Sequence, residues 1–342
     1  MNLIKNNLFK SKKIMNTSLK LYPLKFNPIS KYRMWGGDKL NTFLHKGFEG
    51  ESIGESWELS AVQGDESLVS NGIFEGKTLK QLINEFKGEL LGKSVYEKFG
   101  SDFPLLIKFI DAKTPLSIQV HPHDEIAKKR HNSFGKNEMW YIMEADADAE
   151  IIVGFNTPLT KEKYQEYLHS DRVLEIMNTV KTKAGDVFNI PTGRVHAIGS
   201  GVLLAEIQQT SDVTYRIYDY NRIDKATNQK RALHNDLALD VLDFEIQEEY
   251  KTNYEKTENQ FNELIHTPYF KTNFFNFNQK VVKNYAQLDS FVILIGTKGS
   301  SNLVVDGQSY QIKAGETLLI PASIDKIEFI PNEMAELLEV YL

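Results

Sequence analysis

The sequence predicts a mainly β protein with a few helices, built from two related β domains. Three observations predict it. Short apolar–polar alternations dominate from Leu21 to the C-terminus. Helical periodicity is confined to a few segments. A repeat also recurs: Lys183-Ala184-Gly185-Asp186 leads to Ile190-Pro191-Thr192, and Lys313-Ala314-Gly315-Glu316 leads to Ile320-Pro321-Ala322, with the same spacing from Gly to Pro. Each copy reads as a turn, a short strand and a Pro that ends it, because Pro cannot donate to a ladder. The 342 residues, 41% of them hydrophobic, suffice for a sizeable core in one large or two ordinary domains.

Residues 1–19 read as a basic, disordered extension. Lys5, Lys10, Lys12 and Lys13 lie among Asn and Ser, with no apolar run of signal-peptide length. Met15 is an alternative start, which would leave residues 1–14 outside the mature protein. Residues 22–26 read as a strand, Trp35-Gly36-Gly37 as a turn and residues 56–59 as a short strand. Thr78 and Gln81 form a capping-box pair, and Leu79, Leu82, Ile83 and Phe86 then share one helical face. Residues 105–110 are an apolar run interrupted only by Lys108, and residues 116–121 alternate cleanly. A helix is expected near Thr160, with Tyr164, Tyr167 and Leu168 on one face. Another is expected across residues 226–242, on the spacing of Leu233, Leu237 and Val241. The polar stretch 247–265 reads as a linker. The expected organisation is a catalytic domain over 20–246 and a second β domain over 266–342.

Composition narrows the function. A formal net charge of −6 gives no global pull toward nucleic acid. The absence of cysteine removes disulfide scaffolds, thiolate metal sites and Cys nucleophiles together, and suits a reducing compartment, so a cytoplasmic location is expected. No stretch approaches ~18 consecutive apolar residues, so no membrane span is expected.

The chemistry gathers around His196. Gly185, five residues, Pro191, one residue, Gly193, two residues, His196 resembles the second half-motif of the cupin barrels, although that pattern ends in Asn where this chain has Ser200. In the second repeat Gly193 becomes Ser323 and His196 becomes Lys326, so that copy is expected to be structural. Ser117, Gln119 and His121 fall on one face of their strand, and Leu116, Ile118 and Val120 on the other. Lys136, Glu138 and Trp140 share a face if that segment is extended. His121, Glu138 and His196, with Gln119, make an N/O ligand set that suits Zn²⁺, while Mn²⁺, Fe²⁺ or Co²⁺ also fit. The other histidines (His45, His123, His131, His169, His234 and His266) are expected on the surface or at helix caps.

Four separated motifs then occur in order: 116–122 (LSIQVHP), 136–139 (KNEM), 193–197 (GRVHA) and 212–216 (DVTYR). With Trp35-Gly36-Gly37 and Gly54-Glu55-Ser56-Trp57-Glu58, they resemble the type I mannose-6-phosphate isomerases in their short bacterial form, from about Tyr22 to the C-terminus. The resemblance implies two cupin-like β-barrel (jelly-roll) domains, the first catalytic with helical additions and the second degenerate. It implies an enzyme that interconverts mannose 6-phosphate and fructose 6-phosphate with one zinc per chain. By match to the family's motifs, Gln119, His121, Glu138 and His196 would hold the metal. Arg216 and Lys136 would be catalytic, and Ser117 and Lys108 would meet the phosphate end of the substrate.

Aldose–ketose isomerisation moves a proton between C1 and C2 through an enediol-type intermediate, so a metal and an arginine suit the negative charge that develops. The base stays open between Lys136, a metal-bound water, Glu206 and Asp212. Lys108 within its apolar run calls for either a carboxylate or a bound phosphate. An Fe²⁺-dependent cupin oxygenase is the alternative, against which Gln119 stands in place of a histidine. A non-catalytic sugar-binding cupin is the other, against which Lys136 and Arg216 stand. The expected partner is a small phosphosugar, with no nucleic acid and no membrane; monomer and homodimer both remain open.

Overall fold

A computed structural model describes residues 19–342, so residues 1–18 of the basic extension and the start at Met15 lie outside the described residues. The N-terminal half holds two antiparallel sheets. The larger runs in the order Ile29–Gly37, Ile53–Leu59, Leu105–Ala112, Val202–Gln209, Glu138–Ala145, Val187–Ile190. The smaller runs Tyr215–Tyr218, Ile118–Val120, His196–Ile198, Glu150–Phe155, Met177–Lys181. The C-terminal half repeats this. Its larger sheet runs Gln260–His266, Lys271–Phe277, Ala335–Tyr341, Val292–Lys298, Thr317–Ile320, and its smaller one Val281–Asn284, Lys326–Pro331, Ser300–Val305, Gln308–Lys313. Once Ile29–Gly37 and Tyr215–Tyr218 are set aside, the two halves agree strand for strand. Each pair of sheets is hydrogen-bonded separately, so each half is a two-sheet sandwich rather than a closed barrel.

Strand alternation decides what each face buries. Leu105, Ile107 and Phe109 point one way from their strand. They join Leu79, Leu82 and Ile83 of the helix Leu79–Phe86, and Ile293, Ile295, Leu338 and Val340 of the second half. The two large sheets therefore pack back to back, and the strands Leu105–Ala112 and Val202–Gln209 are buried along their whole length. Ile110 and Ala112 point the other way and meet Ile151, Val153 and Ile198 of the smaller sheet. The outer face of that smaller sheet, through Ile118, Val120, Val195 and Tyr215, is covered by Tyr164 of the helix Lys161–His169 and Ala238 of the helix Asn235–Leu239. Each fully buried Leu, Ile or Phe stabilises this arrangement by about 1.5–3 kcal/mol relative to exposure.

Local signals hold where a named hydrogen bond enforces them. The Thr78 side chain accepts from Gln81 N at 3.1 Å, and Gln81 Oε1 accepts from Thr78 N at 2.9 Å, closing the expected capping box. Gly185 and Gly193 take φ values of 84° and 85°, which a side chain would strain.

Three local expectations are corrected. Residues 22–26 form no strand; Leu24 and Phe26 make isolated bridges to Leu319 and Val69, two different partners, so no ladder grows. Trp35-Gly36-Gly37 is not a turn but the end of the strand Ile29–Gly37. Its glycine serves close approach: a Cβ on Gly36 would lie 2.4 Å from Gly54 N. The helix across 226–242 shrinks to Asn235–Leu239, preceded by the hairpin Ile223–Asp224/Gln229–Lys230. Asn228 turns there at φ 55°, and Leu233, which should lie on the buried face, is 48% exposed. The polar crossing is also structured in part. Thr252 N donates to Val187 O at 2.9 Å, and the strand Gln260–His266 begins within it.

Candidate metal centre and cleft

The interior of the first sandwich is apolar where Ala112, Ile142 and Val202 meet. Further along the same strands the inward residues become Lys108, Glu138, Glu206 and Gln208, all buried. Charge inside a sandwich is costly unless it is matched, so each group's partner matters.

Three strand ends bring the metal-capable group together. His121 follows the strand Ile118–Val120, His196 opens the strand His196–Ile198, and Glu138 opens the strand Glu138–Ala145 from the opposite sheet. His121 Nδ1 lies 3.0 Å from Val213 O, and His196 Nδ1 lies 2.8 Å from Arg194 O. A carbonyl only accepts, so each ring carries its proton on Nδ1 and turns an Nε2 lone pair into the group. Burial pushes both imidazoles down, His196 to about 4, so both are neutral near pH 7. The two Nε2 atoms stand 3.2 Å apart with no proton to share. Glu138 completes the group, with Oε2 3.5 Å from His121 Nε2 and Oε1 3.5 Å from His196 Nε2. Neither Glu138 oxygen accepts an aligned hydrogen bond, and burial with the nearby Glu206 pushes this carboxyl up to about 7.

Facing lone pairs beside a buried carboxylate are unfavourable alone, and a cation between them satisfies both. The Gln119 amide nitrogen lies 3.4 Å from His196 Nε2, so this side chain, whose amide also carries a carbonyl oxygen, stands at the edge of the group. The residues present therefore fit a divalent metal. Among the described residues this is the one group of three or more such side chains close enough to share an ion.

The group lies beside a cleft of about 660 Å³, whose lining includes Gln119, Lys136, Glu206, Lys108, Ser117 and Arg216. Lys136 Nζ sits 3.1 Å from Glu138 Oε2 and 3.3 Å from His121 Nε2. Burial works against its charge, but Glu138, Glu206 and Glu55 hold it above the usual lysine range. Lys108 Nζ meets Glu206 Oε1 at 3.1 Å, so this lysine has its carboxylate and still lines the cleft. The other Glu206 oxygen accepts from Trp140 Nε1 at 3.0 Å. Arg216 Nε donates to Ser117 Oγ at 3.3 Å, and Nη1 donates to Ala232 O at 2.8 Å. Two of the five guanidinium N–H donors are thereby engaged, which leaves three for the cleft.

The eight residues that the resemblance implies, and the base candidates Glu206 and Asp212, meet at this one place. The sequence reading passed over the wall beside them. Glu55 accepts a fork from Arg33, at 2.9 Å to each oxygen, and a further bond from Trp57 Nε1 at 2.7 Å. The available signal was the alternation Glu55-Ser56-Trp57, the same pattern that exposed Ser117, Gln119 and His121. Arg231 also lines the cleft and carried no signal. Among the remaining histidines, His123 and His234 stand at helix N-caps as expected, and His234 also bonds the backbone of Arg216.

Glu55 gives an acid-stability prediction. Burial raises its pKa, but Lys108 and Arg33 outweigh burial and hold the carboxyl down at about 2, against an ordinary 4.5. A depressed native pKa contributes stability that is complete above the unfolded value and is lost as pH falls from 4.5 toward 2. That contribution is on the order of 3 kcal/mol. Urea unfolding of Glu55→Gln should show a flatter decline across that window than the parent; parallel declines would place the acid sensitivity elsewhere.

Mannose-6-phosphate isomerase ManA of Bacillus subtilis is 36% identical to this chain over 309 residues, which is 90% of this chain and 95% of that protein. This chain belongs to the type I phosphomannose isomerases. The mannose-6-phosphate isomerase of Streptococcus mutans is 32% identical over 298 residues, covering 87% of this chain and 92% of that one. The family model for the catalytic domain of type I phosphomannose isomerase matches residues 24–160, and that for the mannose-6-phosphate isomerase cupin domain matches residues 265–332. The crystal structure of the mannose 6-phosphate isomerase from Bacillus subtilis superimposes with a TM-score of 0.84 at 29% identity, over 94% of this chain and 99% of that one. The four motifs are scattered along this type I phosphomannose isomerase sequence, and the fold collects them around one cleft. No helix among the described residues is long and apolar enough to cross a membrane.

Proposed function

We propose that this chain interconverts mannose 6-phosphate and fructose 6-phosphate, using one zinc ion held by Gln119, His121, Glu138 and His196. One observation carries the proposal: two neutral imidazole Nε2 atoms and a buried carboxylate converge beside a cleft whose wall holds Lys136 and Arg216. Zinc bound there would act as a Lewis acid toward the sugar's oxygens. A donor set of nitrogen and oxygen without thiolate suits it.

The chain's own residues supply the rest. Arg216 turns its free donors toward the cleft and stabilises the negative charge that develops on a sugar oxygen as the proton leaves C1 or C2. Lys136 Nζ holds a proton where the ligand group meets the cleft. Glu138 is one of the carboxylates that hold that proton, so committing the Glu138 charge to a cation loosens it while burial continues to disfavour the ammonium. Ser117 Oγ accepts from Arg216, which leaves its own proton to donate to a phosphate oxygen. Lys108 offers a cation at the same wall, and Lys31, Arg33 and Arg231 along the lining favour entry of a dianion.

The second sandwich has a structural role in this scheme. Glu138 lies opposite Ile190, and its counterpart opposite Ile320 is Val292. Gln119 lies opposite His196, and the counterpart pair is Asn284 and Lys326. These residues offer no comparable ligand set.

Purified protein supplied with mannose 6-phosphate should form fructose 6-phosphate in a coupled assay. Activity should disappear after chelation and return with zinc. No product from metal-replete protein would overturn the assignment, and recovery with Fe²⁺ but not zinc would overturn the choice of metal.

A further inference from the structure

The strand Tyr215–Tyr218 is the outer strand of its sheet, paired on one side only, to Ile118–Val120. An outer strand leaves backbone groups without a ladder partner, and these must be satisfied in another way. At Arg216 one residue does so twice. His234 N donates to Arg216 O at 2.7 Å, and His234 Nδ1 accepts from Arg216 N at 3.1 Å. The imidazole thus stands where a neighbouring strand would place a carbonyl. Two residues upstream, Ala232 O accepts from Arg216 Nη1 at 2.8 Å. Backbone and guanidinium of Arg216 are therefore both registered on the segment 232–234.

That segment is itself held at both ends. Upstream, Arg231 Nε donates to Asp219 Oδ2 at 2.8 Å, and Asp219 also accepts from Arg222 Nη2 at 2.6 Å. Downstream, His234 O accepts from Ala238 N at 2.9 Å, the first turn of a helix whose Ala238 is buried under the smaller sheet. The arrangement requires an unprotonated Nδ1 on His234. Burial and the neighbouring charge of Arg216 both push this imidazole down, which keeps it neutral. His234 reaches neither the metal-capable group nor the cleft lining, so its influence on the reaction passes through Arg216.

We propose that His234 is a positioning residue that fixes the Arg216 guanidinium relative to the metal-capable group. The proposal rests on the catalytic role given to Arg216 above. Misplacing a catalytic group by about 1 Å can cost on the order of 100-fold in rate. His234→Ala removes the acceptor and lets the segment slip. His234→Asn keeps an acceptor, Oδ1, on the same atom of the side chain where Nδ1 is attached.

The test measures kcat and KM for mannose 6-phosphate, zinc content and thermal midpoint in His234→Ala, His234→Asn, Arg216→Ala and the double variant His234→Ala/Arg216→Ala. His234→Ala should lower kcat by roughly 10- to 100-fold with KM changed less than about threefold and zinc retained. His234→Asn should recover most of that loss. In the Arg216→Ala background, His234→Ala should add less than about a twofold effect, because the group it positions is gone. Wild-type activity in His234→Ala, equal impairment of the Ala and Asn variants, or a full His234→Ala effect without Arg216 would each overturn the proposal. Wild-type activity in Arg216→Ala would instead overturn the role of Arg216 itself. Should His234→Ala fail to fold, the Asn variant and its double with Arg216→Ala decide the matter alone: full activity supports positioning, and an equal loss with and without Arg216 refutes it.

Discussion

Replacing His196 by Ala is expected to strip the metal from the purified protein and to lower turnover of mannose 6-phosphate by at least about 10³-fold. The reasoning follows from what the imidazole satisfies. Its Nδ1 is already committed to Arg194 O, and its Nε2 faces both His121 Nε2 and Glu138 Oε1. Removing it opens the donor set on one side and leaves Gln119, Glu138 and His121 to hold a cation between them. The backbone of His196 pairs with Gln119 and Val153, so the strand does not depend on the ring. Elemental analysis beside a steady-state assay checks this directly. Loss of activity with full zinc stoichiometry would mean that the metal sits on other ligands.

Arg216→Ala is expected to do the opposite to the metal. It should leave zinc bound and lower kcat by about 10²–10³-fold, the usual effect of removing a donor aimed at developing charge. Arg216 reaches Ser117 and Ala232 and donates to none of the three clustered side chains, so its loss opens no gap in the donor set. Arg216→Lys should recover little, because an ammonium cannot make the forked contacts that hold the guanidinium between Ser117 and the segment 232–234. Loss of zinc in parallel with activity would remove the distinction between the two roles and refute charge stabilisation by Arg216.

The alternation of Ser117, Gln119 and His121 told which face they share, because a strand has a strict period of two. The repeat told of two β halves, because Gly185 and Gly315 both need positive φ before a short strand. Glu138 was legible only as a member of a set; alone it is one carboxylate among many. Other features depend on long-range contacts that leave no local trace. Gly36 looks like a turn residue, yet its role is to let its strand pass close to Gly54. The spacing of Leu233, Leu237 and Val241 imitates a long helix, while Ala232 is held by Arg216 of another strand and Arg231 by Asp219 just beyond that strand. His234 carried no signal, because its ring substitutes for a backbone carbonyl, a function that any short acceptor side chain fills.

The back-to-back packing of the two large sheets also governs how the cleft can breathe. Glu206, Lys108 and Glu138 stand on strands with dense core behind them, supplied partly by the second sandwich. Local opening free energy is highest where burial is deepest, so this wall stays still while the molecule fluctuates. The facing wall is different. Arg216 rides on an outer strand, followed by a short hairpin with an exposed Ile223 and a helix of only five residues. Motion at the cleft is therefore expected beyond Arg216, in the hairpin and the short helix, with the wall of Lys108, Glu206 and Glu138 acting as the anvil.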